Sequence, residues 1–182
     1  MHLIEDLMYQ LSSYFLPPVL IAIIILFIYS LFAFGDFTTQ LLQRKKNQKY
    51  YKNQIDYLFI KKNKLTNALP IKGFDVFNHA TTLTHYNEDI LSVFALKKLE
   101  LVRIVTRIAP MLGLVATMIP MGPALKSLSD GNIQGISENL VVAFSAVIFG
   151  LIISSMTYWI AAVKKRWLAD EIVDLLSINE SK

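Results

Sequence analysis

Few side chains in this sequence can do covalent or metal chemistry. Cysteine is absent, which removes disulfides, thiolate nucleophiles and thiolate metal ligands together. His2, His79 and His85 lack the close His or carboxylate spacing of a metal site, so each reads as a surface or packing residue. No nucleophile stands beside a base and no Gly-rich phosphate loop is present, while Gly113 and Gly122 read as packing glycines. The expectation is a chain that is no enzyme and carries no cofactor or metal.

Charge is distributed in a way that points elsewhere. Residues 15–35, 108–125 and 140–163 contain no charged side chain. Each run is in or near the range of about 17 to 25 apolar residues that crosses the hydrocarbon of a bilayer. With 54% hydrophobic and 18% charged residues, the composition is lopsided for a water-soluble protein, and a globular core rarely requires charge-free helices of this length. Three membrane crossings are therefore expected. Across 108–125 and 140–163 there is also no His, so no carboxylate, amine, guanidinium or imidazole stands there. Hydroxyls and a close-packed wall are what these two runs offer.

Flanking charge sets the orientation, because Lys and Arg near the spans stay inside. Arg44, Lys45, Lys46, Lys49 and Lys52 follow the first run; Lys97, Lys98, Arg103 and Arg107 precede the second; Lys164, Lys165 and Arg166 follow the third. The amino-terminal segment has no Lys or Arg, and the turn between the second and third runs has only Lys126. An outside amino terminus and an inside carboxyl terminus follow. Glu5 and Asp6 stand where a signal peptide would be basic, and no small-residue cleavage pattern closes the first run, so it reads as a retained anchor. Basic residues tracking the span ends predict contact with the lipid bilayer and no nucleic-acid partner.

The fold class expected is an all-α integral membrane protein: three transmembrane helices with long cytoplasmic helical extensions. Its organisation is an external segment over 1–14, spans over 15–35, 108–125 and 140–163, a cytoplasmic helical region over 36–107, an external turn over 126–139 and a cytoplasmic tail over 164–182. Pro17 and Pro18 suit a helix's first turn and mark the start of the first span. Pro70 and Gly73 punctuate a break over 69–74. Asn87, with Glu88 and Asp89, reads as the capped start of one long helix entering the second span. Ser129, Asp130, Gly131 and Asn132 supply a tight turn. The third span runs on through Trp167, Ile172, Leu175 and Leu176 as an amphipathic tail.

The second span carries Ala109-Pro110-Met111-Leu112-Gly113-Leu114-Val115-Ala116-Thr117, and the third carries Ala143-Phe144-Ser145-Ala146-Val147-Ile148-Phe149-Gly150-Leu151. Together they resemble the two hallmark helices of the MotA/TolQ/ExbB proton channel family, an Ala-Pro-x-Leu-Gly-Leu-x-Gly-Thr segment and a Thr-Thr pair preceding Gly-Leu. The likeness covers 101–167 well and, in architecture, most of the chain. It implies a homo-oligomeric ring, usually a pentamer, around a dimer of single-span MotB/TolR/ExbD-like partners that supply an ionisable Asp. The second and third helices would line the pore and the first would face lipid. Thr117 matches the family Thr of the second span. In the third span the family Thr positions fall on Ala146 and Val147, and the nearest hydroxyl, Ser145, is rotated by about 100° from Ala146. The acid at the outer end of this helix in some members falls on Val142, with Glu138 one turn earlier. Pro110, Gly113, Ala116, Pro120, Gly122 and Gly150 are the residues expected to pack and bend the helices, with Pro123 joining the bend.

Two functions are open at this point. One is a channel or stator subunit of an ion-driven energy-transducing motor in the inner membrane, with Thr117, Ser145, Ala146 and Val147 along the ion path and Glu138 at its outer end. The other, motivated by Ala146 and Val147, is a non-conducting scaffold that anchors the complex.

Overall fold

A computed structural model describes the backbone of residues 2–61, 68–83 and 85–180, and the side chains of 14–60, 68–83 and 85–178. All regular structure among the described residues is helical: α1 (His2–Lys61), α2 (Asp75–Thr82), α3 (Glu88–Ser129) and α4 (Ile133–Glu180). Helices α1, α3 and α4 are each long and apolar enough to cross a membrane.

Local chemistry explains most of the boundaries. Asn87 Oδ1 accepts from the Ile90 amide at 2.9 Å, and Glu88 and Asp89 occupy the first turn of α3. Between α3 and α4 the Asn132 amide donates to the Ser127 carbonyl at 2.8 Å, and Gly131 takes the positive φ of 71° that favours glycine. Asn132 Oδ1 then accepts from the Gly135 amide at 3.0 Å and so opens α4. This turn is tighter than the segment 126–139 assigned to it, because helix persists to Ser129 and resumes at Ile133.

Pro17 and Pro18 lie inside α1 and do not mark its start. Their fixed φ suits a helix and the helix continues, although each forgoes one backbone N–H donor and crowds the carbonyl four residues back. The break expected over 69–74 is present, and α2 follows it as a short helix that the sequence does not single out within the helical region 36–107. Its Val76, Phe77 and Ala80 are fully buried.

The chain divides into two compact units. The first takes in Met1–Phe32 and Arg103–Tyr158, the second Ala33–Val102 and Trp159–Lys182. In the first, Ile23 of α1 packs with Val105, Ala109 and Ala116 of α3 and with Ala146 and Ile153 of α4. The Phe27 and Phe149 rings meet edge to face, their centroids 5.2 Å apart. Outside this seam the unit presents Ile24, Ile28, Phe32, Leu114, Met118, Phe144 and Ile148, all exposed. An apolar outer surface around a seam of small residues is what a lipid solvent permits.

The second unit has a core that water would recognise. Tyr51 and Leu58 of α1, Ile71 and Phe74 of the connector, Phe77 of α2, Leu91 and Leu99 of α3, and Leu168, Leu175 and Ile178 of α4 are buried together.

Candidate functional site

The wall formed by α3 and α4 in the first unit begins with residue size. On α3, Ala109, Ala116 and Pro120 are buried at helical spacing, and on α4 so are Ala143, Ala146 and Ile153. Gly113 and Gly150, also buried, let the two backbones meet. A Cβ on Gly150 would lie 2.8 Å from the Ala109 carbonyl oxygen and 3.3 Å from the Gly113 Cα. One on Gly113 would lie 3.3 Å from the Val147 Cα. No side chain beyond hydrogen fits at Gly150 without moving a helix. Of the residues expected to pack, Gly122 stands exposed and Pro110 half-buried. Helix α3 continues through Pro110, Pro120 and Pro123.

The polar residues expected along an ion path are placed differently from one another. Thr117 is half-buried and its hydroxyl donates to the Leu114 carbonyl at 2.6 Å, one turn back. Ser145 is exposed, beside the exposed Phe144 ring. Ala146 is only 3% exposed and belongs to the seam that includes Ala109 and Ala116, so its methyl is committed to packing inside the subunit. Val147 is half-buried, with its Cα close to Gly113. Glu138 is exposed and accepts from Gln134 Nε2 at 3.0 Å.

A second set of hydroxyls in the same unit escaped the sequence reading. Thr106 Oγ1 of α3 donates to Thr157 Oγ1 of α4 at 3.0 Å, Thr157 donates to the Ile153 carbonyl at 2.8 Å, and Ser154 Oγ donates to the Thr106 carbonyl at 2.8 Å. The Thr106–Thr157 and Ser154–Thr106 bonds tie α3 to α4 by polar contact where lipid offers no hydrophobic drive between helices. Periodicity contained the signal: Ala146, Gly150, Ile153 and Thr157 step by four, three and four, so Thr157 falls on the buried register.

Extending that register within the second unit reaches Leu168, Glu171, Leu175 and Ile178. Glu171 is 1% exposed. Its Oε1 accepts from Arg44 Nη1, and its Oε2 accepts from the amides of Val76 at 2.8 Å and Phe77 at 3.1 Å. Those amides open α2, whose own N-cap residue, Phe74, supplies no side-chain bond. The cap comes from another helix. Arg44 Nη1 also donates to the Gly73 carbonyl at 3.0 Å, and its guanidinium lies over the rings of Phe74 and Trp167. Tyr51 donates to Asp174 Oδ2 at 3.0 Å and stacks on Phe74. Burial pushes the Glu171 carboxyl above its ordinary value, against the pull of Arg44 and of the two amides.

Among the described residues no group of three or more His, Cys, Asp or Glu is placed to hold a metal ion. His79 stacks on Phe94 with centroids 4.0 Å apart, His85 is exposed, and the His2 side chain lies outside the described residues.

What these helices are follows from comparison. A model of the MotA/TolQ/ExbB proton channel family matches residues 83–176, more than half of the chain and all of α3 with most of α4. The chain belongs to the MotA/TolQ/ExbB proton channel family. Searches of curated proteins and of solved structures return no match. As a MotA/TolQ/ExbB member it is an ion-channel-type, multi-pass membrane subunit, and the family works with single-span partner proteins. The wall of α3 and α4 and the Arg44–Glu171 clasp both involve residues of the matched MotA/TolQ/ExbB stretch.

Proposed function

We propose that this chain is the channel-forming subunit of an ion-driven, energy-transducing complex of the cytoplasmic membrane. Five copies form a ring around a dimer of single-span partners, and the ionisable Asp that carries the ion belongs to the partner. One observation carries this reading: α3 and α4, each long and apolar enough to cross a membrane, pack tightly together with no Asp, Glu, Lys, Arg or His over 108–125 or 140–163. A wall of that kind conducts protons only when a carboxylate is brought to it. The membrane potential then supplies about 2.3 kcal/mol per charge per 100 mV to drive each transfer.

In this arrangement the amino terminus is outside and the carboxyl terminus inside, with residues 36–107 and 164–182 in the cytoplasm. Thr117 and Ser145 turn toward the partner helices, and Val147 and the buried Ala146 complete the wall behind them. Thr117 exchanges its bond to the Leu114 carbonyl for one to water or the partner carboxylate. Glu138 lies at the outer mouth.

A non-conducting scaffold is the second reading, favoured by one feature. Neither family Thr position of the third span carries a hydroxyl, since they hold Ala146 and Val147. Proton flux into liposomes that hold this chain with its partner separates the two. Flux that disappears when the partner's acid is neutralised supports the channel.

A further inference from the structure

The second unit contains a cleft of about 870 Å³ between α1 and α4 that the proposed ion path does not use. One end is aromatic. Phe37 lies between Trp167, stacked at 5.4 Å, and Trp159, edge to face at 5.4 Å. Trp159 belongs to the charge-free run 140–163 and is 53% exposed, while Phe37 stands two residues past the run 15–35. This end therefore sits where the hydrocarbon gives way to the headgroup layer, the usual depth of interfacial aromatic rings.

Beyond the rings the cleft is charged with both signs. Lys45 of α1, with Arg166 and Asp170 of α4, line it; all three are exposed and make no ion pair within 4.0 Å among the described residues. Lys52 and Asp56 repeat the combination further along α1. By contrast Glu171 and Asp174, which also line the cleft, already accept from Arg44 and Tyr51. The free groups among the described residues are thus three cations and two acids in one cleft, with Lys45, Arg166 and Asp170 facing each other across α1 and α4.

We propose that this cleft binds a phospholipid whose headgroup carries both a phosphate and a primary ammonium, the phosphatidylethanolamine class. The phosphate takes hydrogen bonds from Lys45 and Arg166. The ammonium donates to Asp170, and the glycerol and upper acyl carbons rest on the exposed Trp159 ring, which the buried Phe37 backs edge to face. An anionic lipid without an amine leaves Asp170 facing a phosphate. A choline headgroup has no N–H to donate to it. The site deepens no step of ion transfer and stands whether or not the subunit conducts.

The test uses the full chain purified with its partner, stripped of loosely held lipid and examined by native mass spectrometry. The probes are phosphatidylethanolamine, phosphatidylglycerol and phosphatidylcholine with identical acyl chains. The amine lipid is expected to be retained about tenfold better than either of the others, the worth of one hydrogen bond to a charged group. Lys45→Gln and Arg166→Gln each lower retention of the amine lipid by about tenfold, on the same basis. Asp170→Asn removes the preference for the amine lipid while phosphatidylglycerol still binds, and thermal unfolding of all three variants stays unchanged. Equal retention of the three lipids, or unchanged retention in the Lys45→Gln, Arg166→Gln double variant, overturns the proposal. So does free phosphoethanolamine binding as tightly as the lipid, which would assign the site to a soluble amine-phosphate. An assembled complex in which a neighbouring copy or a partner peptide fills the cleft overturns it as well.

Discussion

Arg44 on α1 and Glu171 on α4 stand 127 positions apart in the sequence and share a hydrogen bond beneath the surface of the second unit. The free oxygen of the same carboxylate closes the amino-terminal end of α2. Three separate segments therefore depend on one buried acid.

Removing that acid is expected to be costly. Glu171→Ala leaves the Arg44 guanidinium without its counter-charge and two buried amides of α2 without acceptors. Breaking such a pair costs about 3–5 kcal/mol. Glu171→Gln keeps an acceptor for the amides and is expected to cost less. Denaturation of the purified protein gives the loss, and hydrogen exchange at Val76 and Phe77 locates it. Unchanged protection at those two amides in Glu171→Ala would contradict the assignment.

The same carboxyl makes stability depend on pH. Burial raises its folded value above the ordinary 4.5, with Arg44 and the amides of Phe77 and Val76 opposing the rise. The folded state then holds the proton more tightly than the unfolded chain does. Its contribution is fully present below pH 4.5 and is lost as pH climbs through the raised value. Glu171→Gln is expected to flatten this part of the stability profile. Tyr51 behaves consistently with its surroundings: burial, then Asp174 and Glu171, push its hydroxyl far above 10.0, so it remains a donor. Tyr51→Phe, which strands Asp174, should cost about 1–3 kcal/mol.

Two glycines differ measurably as packing sites. Gly150→Ala forces a methyl against the Ala109 carbonyl at 2.8 Å, whereas Gly113→Ala meets Val147 at 3.3 Å. Overpacking of this kind costs about 1–3 kcal/mol. Gly150→Ala should therefore lower the unfolding temperature more than Gly113→Ala. Gly35→Ala, with nothing within 4 Å, should leave it alone. Equal effects at all three would mean that the α3–α4 seam is looser than described.

How far the sequence carries the fold can be judged from individual residues. The three charge-free runs, the Asn87 cap and the turn at 130–132 were legible because each is a local pattern with a local cause. Helix α2 was not, since Glu171 caps it from 95 positions beyond Val76. Pro17 and Pro18 misled because a membrane helix also tolerates proline in its interior, where the freed carbonyls find other partners, and the local pattern does not separate that case from a first turn. Of the residues expected to line an ion path, Ser145 and Ala146 are adjacent in sequence, yet one is exposed and the other buried, and only the packing partner at Ala109 and Ala116 decides which. Thr157 and Glu171 were readable in principle, as polar residues on the buried register of α4.

Thr117 tests the proposed ion path residue by residue. Thr117→Val deletes a hydroxyl that is half-buried and bonded only to its own helix in the isolated chain. Ion flux should vanish while the complex still assembles, as judged by the oligomer count of the purified material. Ser145→Ala should reduce flux to a lesser degree. Normal flux in Thr117→Val would take that hydroxyl out of the mechanism.

The central claim is that the wall belongs to this chain and the proton-binding acid to its companion. It is tested most directly by reconstituting the chain into liposomes under an imposed membrane potential, alone and with the single-span partner, and following internal pH. The account predicts no flux from the chain alone, flux with the partner, and silence again when the partner's intramembrane Asp is replaced by Asn. Proton entry through the chain by itself, or entry that persists after that replacement, would contradict it.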